Sequence, residues 1–155
     1  MTGAMTETTA KFTDLATRAA EGAGFPTDSA VLFGRAAARH LADDGNPQAV
    51  VRALGDSGDS PVLRLPLVLE DLRRASGAMS GAIELTLHPD DTELALAYAR
   101  LVPHGAATLE NAPGMPTRLR VEPGEGEAPA LPDRIEVPKP VIERLTALAV
   151  REGVS

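Results

Sequence analysis

Apolar side chains recur at helical spacing near the start of the chain. Phe12, Leu15, Ala16, Ala19, Ala20 and Ala23 share one face, which predicts an amphipathic helix over residues 7–22. Gly22 and Gly24 supply a left-handed stop, and Phe25-Pro26 turns the chain. A second helix is predicted over 28–43, capped by Thr27 or Asp28. Val31, Gly34, Ala38 and Leu41 line one of its faces, with Phe33 and Ala37 beside it. Gly34 and Ala38 are small and four apart, so another helix can approach closely there. Asp43-Asp44-Gly45 ends this helix. Asn46-Pro47 then offers an N-cap and a first-turn proline for a short helix through Leu54, with Val50, Val51 and Leu54 inward.

A polar turn, Gly55 to Pro61, precedes the run Val62–Leu69, which Pro66 divides. The expectation is a short strand before Pro66 and a helix from Pro66 through Ala75, burying Leu69, Leu72 and Val68. From Ala82 the period changes. Ile83, Leu85 and Leu87 alternate with Glu84, Thr86 and His88, the signature of a half-buried strand. Residues 93–102 fit two descriptions. Leu94, Leu96 and Tyr98 alternate as in a hairpin partner, while Leu94, Ala97, Tyr98 and Leu101 repeat at helical spacing. The alanines, with a capping box at Asp90 and Glu93, favour the helix. Short strands are predicted at 107–110 and 117–122 around a Pro113–Pro116 turn, and again at Ile135 and Val137. A mobile acidic loop is predicted near 123–133. A C-terminal helix from Pro140 carries Val141, Leu145 and Leu148 on one face.

These elements compose an α+β fold: an N-terminal helical unit, a small mostly antiparallel sheet, and a C-terminal helix packed back on it. One domain over residues 1–155 is expected, helical over about 7–75 and sheet-containing over about 82–155. A chain of this length buries enough surface to fold without a metal or disulfide.

Composition narrows the classes of function. The absence of Cys excludes a disulfide scaffold, a thiolate metal site and a Cys nucleophile. The net charge of −7 is spread along the chain without a basic stripe. The close basic pairs, Arg73-Arg74 and Arg118/Arg120, have carboxylates nearby, so neither nucleic acid nor an anionic membrane is an expected partner. No apolar run of 18 residues occurs, and Met1 to Phe12 lacks the apolar core of a signal peptide, so a cytoplasmic location is expected. Arg outnumbers Lys 13 to 2 and Ala is abundant, a usage typical of a GC-rich bacterial genome.

Of the three histidines, His40, His88 and His104, none pairs with another at metal-ligand spacing, and neither a metal nor a cofactor is expected. His88-Pro89-Asp90-Asp91 is the most suggestive cluster. A histidine at a strand end beside two carboxylates could serve as a general base oriented by an acid. The structural alternative is that Pro89 ends the strand, Asp90 caps the next element and Asp91 lies in its first turn. Ser57, Ser60, Ser76 and Ser80 lie in turns, without the strand–elbow–helix context of an activated serine. Arg35 and Arg39, four apart and next to His40, could hold an anionic ligand, although Arg39 can equally pair with Asp43 one turn on.

Ala19-Ala20-Glu21-Gly22-Ala23-Gly24-Phe25, with Ala30, Gly34, Ala37 and Leu41, resembles the opening of a proteobacterial family designated domain of unknown function 3726. Ile135-Glu136-Val137 and Ile142-Glu143-Arg144-Leu145 with Ala147-Leu148-Ala149 are similar to its last strand and helix. Together these cover about a third of the chain. Two departures stand out: Pro26–Ser29 replaces an aromatic position of the family, and its Ser-rich tail beyond the last helix has no counterpart before Ser155. The resemblance implies no reaction and assigns no catalytic residue.

The expected function is that of a non-catalytic accessory or protein-interaction module. A homodimer is expected because an alanine-rich core buries little area per residue and could leave the first or last helix to be covered by a second copy. The alternatives are a small hydrolase- or lyase-like enzyme using His88 with Asp90 or Asp91, and a small-ligand-binding protein. An enzyme requires a concave pocket on which such groups converge.

Overall fold

A computed structural model describes residues 4–78, 81–101, 106–122 and 130–152. The chain opens with a strand, β1 (Ala4–Thr8), where the apolar pattern had predicted the start of a helix. Its partner is β5 (Arg134–Pro138), antiparallel, with Met5 opposite Val137 and Glu7 opposite Ile135. Ala4–Thr8 shows no alternation to read. Its one large apolar side chain, Met5, is itself 40% exposed, and the partner that makes the segment a strand lies at the other end of the sequence. The ribbon runs directly into α1 (Thr9–Gly22), which Thr8 caps by accepting the Lys11 N–H at 3.2 Å. The Thr9 N–H donates to the Asp133 carbonyl at 2.9 Å, and the Thr9 hydroxyl donates to the Pro132 carbonyl. Part of the predicted 123–133 loop is thereby tied to α1; residues 123–129 of it lie outside the described residues.

Helix α1 ends as glycine chemistry dictates. Gly24 has φ +104°, its N–H reaches the Glu21 carbonyl, and the Phe25 N–H reaches Ala20. Helix α2 (Thr27–Ala42) starts after Pro26, with no side-chain cap. At its end Asp44 (φ 62°) takes the left-handed position, and Gly45 donates back to the His40 carbonyl at 2.8 Å. Gly45 serves a different need: a Cβ there would stand 2.2–2.5 Å from the His40 ring. Helix α3 (Pro47–Ala53) begins as predicted, with Asn46 Oδ1 accepting the Gln48 N–H at 3.0 Å.

The run after the polar turn is not a strand followed by a helix. It is one helix, α4 (Pro61–Ala78), with Pro66 inside it. Pro61 occupies the first turn, and Ser60 caps it by accepting the Val62 N–H at 3.1 Å while donating to the Ala53 carbonyl. The first turn is therefore nucleated ahead of Pro66, and burial of Val62, Leu65, Leu69 and Leu72 at helical spacing carries the helix through the proline.

Residues 92–99 form the helical alternative, α5 (Thr92–Ala99), entered through a single 3₁₀ turn at Pro89–Asp91. The capping box does not form. Glu93 pairs with Arg52 instead, and the Asp90 N–H donates to His88 Nδ1 at 3.1 Å. Strands β2 (Ile83–Thr86), β3 (Ala107–Glu110) and β4 (Arg118–Val121) make an antiparallel sheet in the order β2-β4-β3. Register sets Leu85, Leu119 and Leu109 in one inward row, and Glu84, Arg120 and Thr108 in a row on the other face. Arg120 there pairs with Glu84, Glu110 and Glu122. The final strand, β5, belongs to the separate ribbon with β1 and not to this sheet.

Helix α6 (Lys139–Glu152) buries Val141, Leu145 and Leu148. It packs chiefly against α1, where a seat on the sheet had been predicted. Helix α1 lies against both α2 and α6, so the apolar faces of the first and last helices cover each other. One apolar cluster runs from Phe12 through Phe33, Leu65, Tyr98 and Leu119 to Leu148.

Candidate functional site

The Asp91 carboxylate, three residues after His88, is 2% exposed. It is held by Arg64 of α4, whose Nε donates to both Asp91 oxygens at 3.0 Å. Arg64 also donates through Nη1 to Asp59. These carboxylates hold the guanidinium's pKa above its ordinary value, with the Asp91 hydrogen bonds the largest cause. His88 faces outward, its side chain 42% exposed, and Asp90 is 72% exposed with Oδ2 3.9 Å from His88 Nδ1. Because Nδ1 already accepts the Asp90 N–H, the ring acts as the cap of the 3₁₀ turn. His88 and Asp90 therefore lie together at the surface, while the Asp91 carboxylate is buried against Arg64.

The α2 candidates also separate. Arg35 is exposed, whereas Arg39 is 6% and His40 8% exposed. Arg39 donates to Asp43 through Nε at 3.0 Å and Nη2 at 2.7 Å. Arg100, at the end of α5, donates to the same carboxylate at 2.6 Å. Burial works to raise the Asp43 pKa; the Arg39 and Arg100 hydrogen bonds outweigh it and leave the carboxyl below its ordinary value. His40 Nε2 donates to the Asn46 carbonyl at 2.9 Å. Arg39 and His40 thus close the end of α2. His104, the remaining histidine, lies outside the described residues, as does Ser80.

An open groove of about 580 Å³ lies between the α3–α4 turn and the start of α5. Asp56, Asp59, Asp90 and Glu93 line it beside Arg52 and Leu94. The Arg52–Glu93 ion pair spans it, joining α3 to α5. A second open groove, of about 570 Å³, lies at the β3–β4 connection around Leu109, Met115 and Pro116. Among the described residues, no three His, Asp or Glu side chains are grouped to hold a metal ion. No described helix is long and apolar enough to cross a membrane.

Sequence patterning passed over Arg64, Arg52 and Arg100, the cations that fasten α5 to its neighbours. One signal was available: Arg64 interrupts an apolar run between Leu63 and Leu65, and a cation in such a place needs a buried acid or a route to water. The chain matches no family model, no curated protein and no solved structure.

Proposed function

We propose that this chain is a non-catalytic accessory protein of the cytoplasm that acts through protein contacts, including contacts with a second copy of itself. The observation that carries this reading is the contrast between exposed His88 and buried Asp91. Arg64 takes the buried Asp91 carboxylate, and His88 is left on open surface with the exposed Asp90 as its acidic neighbour. Support also comes from α4, where Leu67 is 66% exposed one turn beyond half-buried Leu63. The resemblance to domain of unknown function 3726 names no reaction, and the reading does not rest on it.

Two measurements test it. Light scattering at micromolar concentration should give twice the 16.1 kDa chain mass; a monomer at every concentration removes self-association. A thermal-shift panel of metabolites should leave the melting temperature unchanged. Stabilisation by a metabolite that vanishes in His88→Ala would overturn the non-catalytic reading.

A second reading is small-ligand binding in the groove bounded by Arg52 and Glu93. Its volume of about 580 Å³ falls within the range typical of ligand sites, roughly 300–1,000 Å³. Stabilisation by a metabolite that survives His88→Ala and is lost in Glu93→Gln would favour it.

A further inference from the structure

Helix α4 buries Val62, Leu65, Leu69 and Leu72 along one face. At about 100° per residue, Leu67, Asp71 and Arg74 fall on the opposite face, with Glu70 at its edge. Leu67 is 66% exposed, and the three charged residues are exposed as well. The chief neighbours of α4, which are α2, α5, β2 and the 3₁₀ turn, leave this face uncovered. One exposed leucine is ordinary on a protein surface. The order of the charges beside it is not accounted for by the fold. Along the helix, Glu70 and Asp71 come first, and Arg73 and Arg74 follow. Neither pair lies in a terminal turn of α4, so the helix dipole does not explain that order. Among the described residues none of the four forms an ion pair, although Glu70 and Arg74 stand one turn apart on the same helix.

An acidic pair followed by a basic pair complements its own reversed copy. When two such helices lie antiparallel and cross at the level of Leu72, a two-fold axis sets Glu70 of each copy level with Arg74 of the other, and Asp71 level with Arg73. The contact is isologous: one patch meets itself, so it closes at two copies. A parallel arrangement in register sets like charges side by side and is disfavoured. Leu67 of each copy then lies level with the last turn of the other α4 and gives the contact apolar area at both ends. We propose, resting on the self-association reading above, that this face of α4 is the surface through which two copies of the chain meet, with the two α4 helices antiparallel and Glu70 paired to Arg74 across the contact.

Light scattering of the full chain at micromolar concentration tests the surface. The parent should give twice the 16.1 kDa chain mass. Glu70→Arg and Arg74→Glu each set like charges across the contact, and each should halve the measured mass. An equimolar mixture of the two variants restores opposite charges and should return the dimer mass, which a variant that had failed to fold could not do. A dimeric parent whose two variants are also dimers overturns the α4 surface and leaves self-association standing. Variants that are monomers alone and remain monomers when mixed overturn the surface too. A parent that is a monomer at every concentration overturns self-association itself, and the surface with it.

Discussion

Arg64 and Asp91, 27 residues apart in sequence, meet with the Arg64 Nε 3.0 Å from each carboxylate oxygen. The contact ties the first turn of α4 to the entry of α5. Two further ion pairs fasten α5, Arg52–Glu93 to α3 and Arg100–Asp43 to the end of α2. Their weights differ. Arg52 and Glu93 are 60% and 46% exposed, and such surface pairs contribute about 0–1 kcal/mol. The Asp91 carboxylate is buried, and breaking a buried pair by removing one partner costs about 3–5 kcal/mol.

Asp43 makes stability depend on pH in a defined direction. Its carboxyl has a lower pKa folded than unfolded, so the contribution is fully present above the unfolded value, near 4. It is lost as pH falls through the lower folded value. Asp43→Asn should be less stable than the parent at pH 7 by about 1–2 kcal/mol. Urea unfolding at pH 7, 5 and 3 should show that difference shrinking at the acid end; a difference constant with pH would contradict the assignment.

Gly34 sets how closely α1 and α2 approach. A Cβ at this position would stand 2.0 Å from Thr17 Oγ1 and 2.7 Å from the Thr13 carbonyl oxygen. Alanine gains about 1 kcal/mol in helix propensity, yet the backbone carbonyl cannot swing aside as a side chain can. Gly34→Ala should therefore lower stability by about 1–3 kcal/mol. Adding Thr17→Ala should recover part of the loss, because one of the two obstacles remains. A thermal melt of the three proteins checks both statements.

This close approach was legible in the sequence, since two small residues four apart on an amphipathic helix leave room for a neighbour. The helices around Phe12, Phe33 and Leu145 and the row through Leu85 and Leu119 were legible for a similar reason: their burial follows the local period. Strand β1 was not, because Ala4–Thr8 takes its conformation from β5 across the whole chain. The seat of α6 on α1 was equally hidden, since an apolar face does not name the face it will meet. For the candidate site, sequence showed that His88, Asp90 and Asp91 are neighbours. It did not show that Arg64 would take Asp91 and bury it while His88 and Asp90 stay at the surface.

Pro66 obscured the continuity of α4 and gives a prediction of opposite sign. It cannot donate to the Val62 carbonyl, and an interior proline disfavours a helix by about 3 kcal/mol. Part of that is returned by the stiffer unfolded chain, about 0.4–1 kcal/mol. Pro66→Ala should raise stability by about 1–2 kcal/mol, read as a higher urea midpoint with an unchanged slope. A lower midpoint would show that the proline ring supports the helix in place.

The central claim is that the ionisable groups around α5 hold helices together, and that His88 and Asp91 do not act as a pair. Urea unfolding of His88→Ala and Asp91→Asn at pH 7 tests it most directly. The account predicts a change within about 0.5 kcal/mol for His88→Ala and a loss of about 3 kcal/mol or more for Asp91→Asn. Similar losses in the two variants, with a double variant no worse than either one, would show His88 and Asp91 acting as a unit and would contradict it.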